Sequence, residues 1–304
     1  MRFLPRLATL AALAVATFLS WRLLLWSLLT GQGGDLAPEE EENFTLTLDT
    51  FLHVQQLRKK RLRDFCSRSG RGSTLPRSQA ERAHLLSHLR VSTKLDLLYC
   101  QVPSTGMEEW QQLLEKLEEK ANLTLPVPLP YPRQHAQGTQ LRDFNLTETE
   151  TMLRSYTKVL FVRDPFHRLI STFMQGMGSS PSFSSFIQDV LGSGQHNASA
   201  AWEPLVSLCQ PCSVHYDFVV VFGFFRQELS HVLQRAGLPV DSLLLLDFTD
   251  TQVRWTYSWL SEQMLKELSP QQKQQLSRFY QWDLSAFPFS SSFLTRLPST
   301  PQPW

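Results

Sequence analysis

The 304-residue sequence predicts an α/β fold in which a central parallel sheet is flanked by helices, preceded by a transmembrane anchor and a stem. Two apolar runs, 94–99 and 158–162, are typical of short buried strands. Each run is followed by a turn and then by apolar residues at helical spacing. From about Gln79 onward strand and helix patterns alternate without a clear break, which indicates one α/β domain.

Composition limits the classes of function. The chain is 42% hydrophobic and 19% charged, enough to bury one large core or two small ones. Its formal net charge of +1 creates no global field that attracts nucleic acid, so we expect no nucleic-acid partner. Four cysteines are too few for a disulfide scaffold but suit a mid-sized secretory domain.

The first 30 residues predict a membrane anchor. Residues 1–6 form a basic cytoplasmic tail, and residues 7–30 are apolar apart from Arg22. This segment exceeds the roughly 20 residues needed to span a bilayer, and the basic tail favours a type II orientation with a lumenal remainder. The alternative is a signal peptide cleaved near Ala16. We favour the uncleaved anchor because the apolar character resumes after Arg22.

Residues 31–78 are predicted to form a lumenal stem, and residues 79–304 the lumenal domain. The stem begins with a Gly-rich and acidic stretch that is typical of a solvated linker. Residues 51–63 have the pattern of a basic amphipathic helix. That helix either contacts an acidic polysaccharide or a partner, or presents an ordinary solvated face.

The sequence contains four acceptor patterns for N-linked glycosylation. One such pattern is a weak signal, whereas four of them downstream of an export segment support a lumenal location. The acceptors are Asn43, Asn122, Asn145 and Asn197.

The first candidate site is the loop 103–110, which lies between a predicted strand and a predicted helix. Backbone N–H groups in the first turn of a helix favour anions, so this arrangement suits a phosphate. The loop nevertheless contains no lysine or arginine, and Glu108 and Glu109 stand where an anion would dock. The residues alone leave open whether this is a phosphate site without its charge or no phosphate site.

The second candidate site follows the strand 158–162. Asp164 is a suitable helix N-cap and Pro165 suits the first helical turn. Arg163 then lies at the carboxyl end of the strand, where open parallel sheets bind ligands, and Ser171 lies about two turns along the helix. The arginine fork matches a phosphate. The alternative, in which Arg163 pairs with Asp164 or these residues form a helix-capping cluster, is equally consistent with the spacing.

These motifs carry a family resemblance. "LFVRDPFHRLISTF" resembles the 3′-phosphate motif of the Golgi carbohydrate sulfotransferases that act on chondroitin, dermatan and N-acetylgalactosamine termini. "YCQVPSTGMEEW" lies where that family has its 5′-phosphosulfate loop. "AWEPLVSLCQPCSVHYDFVVVFGFF" and "RFYQWDLSAFPFS" resemble its third and fourth segments, in the same order. The resemblance covers roughly residues 60 to 290.

The resemblance implies a P-loop-like fold that transfers sulfate from 3′-phosphoadenosine 5′-phosphosulfate to a glycan hydroxyl in the Golgi, without a metal. The acceptor would be a glycosaminoglycan or a glycoprotein oligosaccharide. Arg163 and Ser171 would grip the 3′-phosphate of the donor. The residues that would hold the 5′-phosphosulfate are Pro103, Ser104, Thr105, Gly106, Met107, Glu108 and Glu109.

The chain departs from the family pattern in its 5′ half. The loop lysine is replaced by Ser104, and the histidine before Trp202, a candidate base, is Ala201. Losing one donor that stabilises developing charge costs about 2.7–4 kcal/mol. An alternative function is therefore a catalytically inactive relative that acts through a partner enzyme or a glycan. The other departures are Met107 for Cys, Glu108–Glu109 for Ser/Thr-Asn, Val220–Val221 for Gly-Lys, and Gly223 for Glu.

Two histidines are weaker candidates. His196 precedes Trp202 by six residues, so it is either a displaced base or an exposed loop residue. His167 stands where the family usually has Glu, and its position on a helix flank favours a structural role. We therefore assign no catalytic residue from the sequence.

The pair Cys209 and Cys212 resembles a redox motif. That motif opens a helix after a strand, whereas the residues after Cys212 have a strand pattern. Zinc would need two further ligands, and only His215 is close in sequence. We expect structural disulfides, but their connectivity with Cys66 and Cys100 stays open.

Overall fold

The computed structural model describes residues 46–70, 75–76, 78–124, 139–176, 180–193, 199–223, 225–238 and 250–289, apart from the side chains of 107–109, 120–124, 139, 225–226 and 250–258. The predicted anchor and the sequons at Asn43 and Asn197 lie outside these residues. No helix within the described ranges is long and apolar enough to cross a membrane.

The helices are α1 (Leu48–Arg68), α2 (Gln79–His88), α3 (Met107–Thr124), α4 (Leu146–Ser155), α5 (Pro165–Met174), α6 (Phe183–Ser193), α7 (Leu205–Leu208), α8 (Pro211–Val214), α9 (Phe225–Arg235), α10 (Asp250–Glu267), α11 (Pro270–Phe279) and α12 (Gln281–Ala286).

Five strands form one sheet in the order β3-β1-β2-β4-β5. Strands β2, β4 and β5 are parallel, as predicted, but β1 pairs antiparallel with both β2 and β3, so the sheet is mixed. The reason is the short connection between β1 and β2, because parallel neighbours need a much longer crossover. The strands are β1 (Leu89–Ser92), β2 (Leu97–Cys100), β3 (Thr139–Gln140), β4 (Thr157–Val162) and β5 (Phe218–Val221).

Alternate residues of the parallel strands enter two different cores. Leu98 and Leu160 point to one face of the sheet, whereas Tyr99 and Phe161 point to the other. This alternation follows from the two-residue period of a strand. Both faces are covered by helices, which explains why these strands are apolar along nearly their whole length.

Helix α1 covers the edge of the sheet. The side-chain amide of Gln55 accepts from the backbone N of Val219 at 3.0 Å and donates to its carbonyl oxygen at 3.1 Å. Arg58 donates to the same carbonyl oxygen at 2.6 Å and forms a salt bridge with Glu228 at 2.7 Å. Helix α1, residues 48–68 of the predicted stem, therefore hydrogen-bonds to backbone groups of edge strand β5. On an exposed edge strand, such groups are available for pairing with another chain.

Two disulfide bonds cross-link the same region of the fold. Cys66 of α1 pairs with Cys212, and Cys100 at the end of β2 pairs with Cys209. The expectation of structural disulfides is confirmed, and the two cysteines of the 209–212 motif bond to different partners. The cross-links join residues 146 and 109 positions apart, a separation that sequence patterns do not reveal.

One predicted sequon lies on the described surface. Asn145 is exposed and caps α4, where its side-chain oxygen accepts from the backbone N of Glu148 at 2.9 Å. The side chain of Asn122 is not described. Glycosylation at these positions stays a prediction.

We predict that Gln55→Ala destabilises the fold. Gln55 is 3% exposed, and its loss leaves the buried N–H of Val219 without this acceptor, which costs about 1–3 kcal/mol. Denaturant unfolding of the full-length chain in detergent measures the change. The matched control is Gln56→Ala on the exposed side of α1, which we expect within about 0.5 kcal/mol of wild type. Equal stability of the two variants would contradict the pairing of α1 with the edge strand.

Candidate functional site

Three loops converge where the parallel strands end. They follow β2 at residue 101, β4 at residue 163 and β5 at residue 222. The carboxyl ends of neighbouring parallel strands lie at one edge of a sheet, which is where open α/β sheets bind ligands. The two motifs selected from the sequence therefore share this edge.

The loop after β2 makes a tight turn into α3. Ser104 has a φ of 61° and Gly106 a φ of 84°, both in the left-handed region. The hydroxyl of Thr105 donates to the carbonyl oxygen of Val102 at 2.7 Å, which closes the turn. Met107, Glu108 and Glu109 open helix α3, but their side chains lie outside the described residues. The predicted strand, turn and helix N-terminus are confirmed.

The second motif also has its predicted backbone. Asp164 caps α5, and its Oδ1 accepts from the backbone N of Phe166 at 2.9 Å and of His167 at 3.2 Å. Pro165 is the first residue of the helix, as predicted. Ser171 lies two turns along and is buried, at 5% exposure.

Arg163 joins the two motifs. Its Nη1 donates to the carbonyl oxygen of Ser104 at 2.6 Å, and its guanidinium carbon lies 4.0 Å from the centre of the Phe222 ring. The residue is only 3% exposed. A rigid cation therefore lies on the loop that lacks its lysine, a contact across 59 residues that no local pattern predicts.

A second arginine, which lies within α5, organises the backbone behind the site. Arg168 is fully buried and donates to the carbonyl oxygens of Ala200, Ala201 and Glu203 at 3.0–3.2 Å. The hydroxyl of Thr172 also donates to the oxygen of Ala201, at 3.4 Å. The segment in which the family histidine is replaced by Ala201 is therefore held against α5.

The C-terminal motif completes this arrangement. Asp283 is fully buried and accepts from the backbone N of Leu205 at 2.7 Å and of Val206 at 2.9 Å, which caps α7. The hydroxyl of Tyr280 donates to the carbonyl oxygen of Trp202 at 2.6 Å. All four segments chosen from the sequence are thus linked by hydrogen bonds, by the Cys100–Cys209 disulfide or by the Arg163–Phe222 contact.

A histidine–carboxylate pair, which no sequence pattern predicted, lies beside this network. Nε2 of His84 lies 3.2 Å from a carboxylate oxygen of Glu203. Burial raises the pKa of Glu203 to about 7, Arg168 opposes the rise, and Asp283 adds to it. The neighbouring His88 ring stacks edge-on at 4.8 Å, and burial lowers its pKa to about 4. Only the packing of α2 against α7 brings these residues together.

The weaker histidine candidates have different outcomes. His196 lies outside the described residues, so its role stays untested. His167 is partly buried at the start of α5, where burial lowers its pKa, Asp164 raises it and Arg163 lowers it. Val220, at a position where the family has Gly-Lys, is fully buried in the core below the sheet edge.

The fold and site define a class of protein: an α/β domain with an anion-type loop and a buried arginine at the carboxyl edge of its parallel strands. The particular family follows from comparison. The model of a family described as "Sulfotransferase family" matches residues 87–290, more than half of the chain, so the chain belongs to the sulfotransferase family. No solved structure matches significantly.

Curated relatives agree with this assignment. The chain is 28% identical over 274 residues to carbohydrate sulfotransferase 9 of Homo sapiens, covering 79% of the chain and 61% of that protein. It is 26% identical over 217 residues to carbohydrate sulfotransferase 14 of Danio rerio, covering 61% and 58%. It is 24% identical over 295 residues to carbohydrate sulfotransferase 11 of Mus musculus, covering 84% and 82%. The chain thus spans about three fifths of the length of the first two relatives.

We predict that Glu203 makes the stability of the fold pH-dependent. Its pKa in the folded state, about 7, exceeds the ordinary value of 4.5, so the folded state binds more protons and stability falls as pH rises through this window. Glu203→Gln should remove this loss, by about 1–3 kcal/mol between pH 5 and pH 8. Denaturant unfolding at the two pH values measures it.

The matched control is Glu150→Gln, which removes the same charge from an exposed position on α4. We expect the pH dependence of its unfolding free energy to equal that of wild type. A Glu203→Gln variant with the wild-type pH dependence would contradict the assigned pKa.

Proposed function

We propose that the protein is a carbohydrate sulfotransferase that transfers sulfate from 3′-phosphoadenosine 5′-phosphosulfate to a glycan hydroxyl. The observation that carries the proposal is the contact between Arg163 and the carbonyl oxygen of Ser104, which unites the two phosphate motifs at one sheet edge. Membership of the sulfotransferase family and the names of the relatives support the donor and the acceptor class.

The residues at the edge suit a phosphosulfate nucleotide as substrate. The turn 102–106 leads into the N-terminus of α3, whose first backbone N–H groups have no partner within the helix and favour anions. The guanidinium of Arg163 offers several donors, so it can exchange the Ser104 carbonyl for phosphate oxygens. Ser171 adds a hydroxyl from the next turns of α5. Catalysis would then consist of holding donor and acceptor in line and stabilising the charge on the leaving phosphate.

We further propose that the protein acts in the Golgi as a single-pass type II membrane protein. The apolar segment 7–30 and the four sequons support this location. Two disulfides within the domain support an oxidising compartment, because such bonds are rare in the cytosol. The acceptor would be a glycosaminoglycan or an N-acetylgalactosamine-containing oligosaccharide.

A second candidate function is a catalytically inactive relative that acts through a partner enzyme or a glycan. The observation in its favour is the loop itself, which has Ser104 in place of lysine and two glutamates at the start of α3. The burial of Arg163 and Ser171 also favours it, because a nucleotide must displace existing contacts to reach them.

The test is sulfate transfer by the full-length chain in detergent. Radiolabelled donor is supplied with chondroitin, desulfated dermatan and oligosaccharides that end in N-acetylgalactosamine, and binding of 3′,5′-bisphosphate nucleotide is measured in parallel. Transfer to any of these supports the enzyme. Nucleotide binding without transfer supports the inactive relative, and neither activity contradicts both candidates.

We predict that Arg163→Ala weakens bisphosphate nucleotide binding by about 1.5–3 kcal/mol, the value typical of hydrogen bonds to a charged group. Isothermal titration of the full-length chain measures the affinity. The control is Arg154→Ala, an exposed arginine of α4, which should leave affinity unchanged. Unchanged affinity in a folded Arg163→Ala variant would separate the nucleotide site from this motif.

We predict that Ser104→Lys raises donor affinity and the rate of transfer, because it adds a cation beside the leaving phosphate. The triple variant with Glu108→Thr and Glu109→Asn should gain more, and its gain should shrink at high salt if electrostatics cause it. Ser104→Gly is the control, since it removes the left-handed strain at φ 61° without adding charge. If the folded triple variant gains neither affinity nor rate, two explanations remain: a lysine or arginine from elsewhere, such as Arg163, already supplies this charge, or the pocket is closed.

A further inference from the structure

Sulfate transfer requires a proton acceptor that the residues assigned so far do not supply. The acceptor hydroxyl must release its proton as its oxygen bonds to sulfur. Arg163 and backbone N–H groups are donors, and Ala201 carries no titratable group. We propose that His84, oriented by Glu203, takes this proton, an inference that rests on the proposed function.

The geometry of the pair suits this role. Nε2 of His84 lies 3.2 and 3.4 Å from the two carboxylate oxygens of Glu203, so its N–H donates to them. That bond leaves the lone pair on Nδ1, the atom that accepts the proton. The carboxylate side chain is 8% exposed, whereas the imidazole is 40% exposed and therefore open to a substrate. A buried carboxylate that orients an accessible imidazole is the usual arrangement of a histidine base.

The pair is attached to the site from two sides. The carbonyl oxygen of Glu203 accepts from Arg168 of α5, the helix that begins at the Arg163 motif. On the other side, the His84 ring packs edge-to-face against the ring of His88. The backbone carbonyl oxygen of His88 accepts a hydrogen bond from the backbone N of Gln101 at 2.7 Å. Gln101 precedes the phosphate-type loop by two residues. The pair therefore lies between the end of β2 and the helix that carries Ser171.

Several charged and titratable groups face the pair. Glu203 faces Arg168 from α5 and Asp283 from α12, and burial raises its pKa. His84 faces His88 on its own helix, and burial, His84, Arg90 and Arg142 all lower the pKa of His88. The ring of His88 is therefore neutral next to the His84 imidazole, and a carboxylate oxygen of Glu203 lies 3.2 Å from Nε2 of that imidazole.

The proposed step balances as follows. The oxygen of the sugar hydroxyl forms a bond to sulfur, and the bond between sulfur and the bridging oxygen of the 5′-phosphate breaks. The leaving 3′,5′-bisphosphate nucleotide keeps the electron pair of that bond, and the hydroxyl proton goes to Nδ1 of His84. Glu203 keeps its bond to Nε2 and stabilises the imidazolium.

The experiment measures kcat, KM and nucleotide affinity of the full-length chain from pH 5 to pH 9 for His84→Gln, Glu203→Gln, their double variant and His167→Gln. His53→Gln, an exposed histidine of α1, is the matched control. Slow donor hydrolysis, in which water replaces the sugar hydroxyl, gives the same readout without a glycan. His84→Asn replaces His84→Gln if the latter fails to bind the nucleotide.

We expect His84→Gln to lower kcat by about 10²–10⁴-fold, the usual contribution of a general base, with nucleotide affinity within twofold of wild type. The acidic limb of the pH profile should flatten, which a purely structural role would not produce. The double variant should be no slower than His84→Gln, because the two residues act as a unit.

Other outcomes overturn the inference. Wild-type kcat in His84→Gln, or an acidic limb that persists in it, excludes His84 as the base. If His167→Gln loses activity while His84→Gln keeps it, the proton goes to His167. If wild type shows neither transfer nor donor hydrolysis, the proposed function itself fails, and the base role fails with it.

Discussion

The buried guanidinium of Arg168 is the constraint on which the site depends. A fixed cation in the interior must be surrounded by acceptors, since its burial is otherwise costly. Three carbonyl oxygens of the segment 200–203 supply these acceptors, and the carboxylates of Glu203 and Asp283 lie close enough to favour the charged form. Asp283 also caps α7. One charge therefore fixes α5, the segment after α6 and the C-terminal helices relative to one another.

The features that the sequence predicted correctly are local. Strand β4, the Asp164 cap and the Pro165 start of α5 follow from neighbouring residues, so periodicity and capping preferences reveal them. The features that it missed join distant residues. Gln55 is a polar residue of the kind that usually lies on a solvated surface. Its side chain nevertheless accepts a hydrogen bond from the backbone N of Val219 in edge strand β5, 164 positions away. The Arg163–Ser104 contact depends on the parallel alignment of β2 and β4, which no single segment encodes.

The position of Arg163 affects how the replacement of the loop lysine by Ser104 should be interpreted. In the family pattern a loop lysine and the arginine after β4 would serve the two phosphates of the donor, whereas here the loop has Ser104 and the guanidinium of Arg163 donates to the carbonyl oxygen of that residue. If Arg163 stays on the loop, it stabilises the leaving group and weakens the 3′ grip. If it turns to the 3′-phosphate, backbone N–H groups at the start of α3 are left to serve the 5′ side. Under the proposed function, sharing one guanidinium between the two phosphates predicts a lower rate of transfer than in a protein with a separate cation for each phosphate.

Under the proposed function, nucleotide binding and sulfate transfer depend on different parts of the molecule. The hydrogen bonds of Arg168, Asp283 and Tyr280 form in the buried interior without a lysine at position 104. The two disulfides likewise cross-link α1 and β2 to the 209–212 segment independently of that position. The loop can therefore lose charge without loss of the fold, because no described contact of the core depends on the side chain at position 104. Nucleotide affinity should depend mainly on Arg163, and the transfer rate on the His84–Glu203 pair and the loop charge. The two candidate functions, a slow sulfotransferase and a nucleotide-binding protein without transfer, are therefore extremes of the same proposed site.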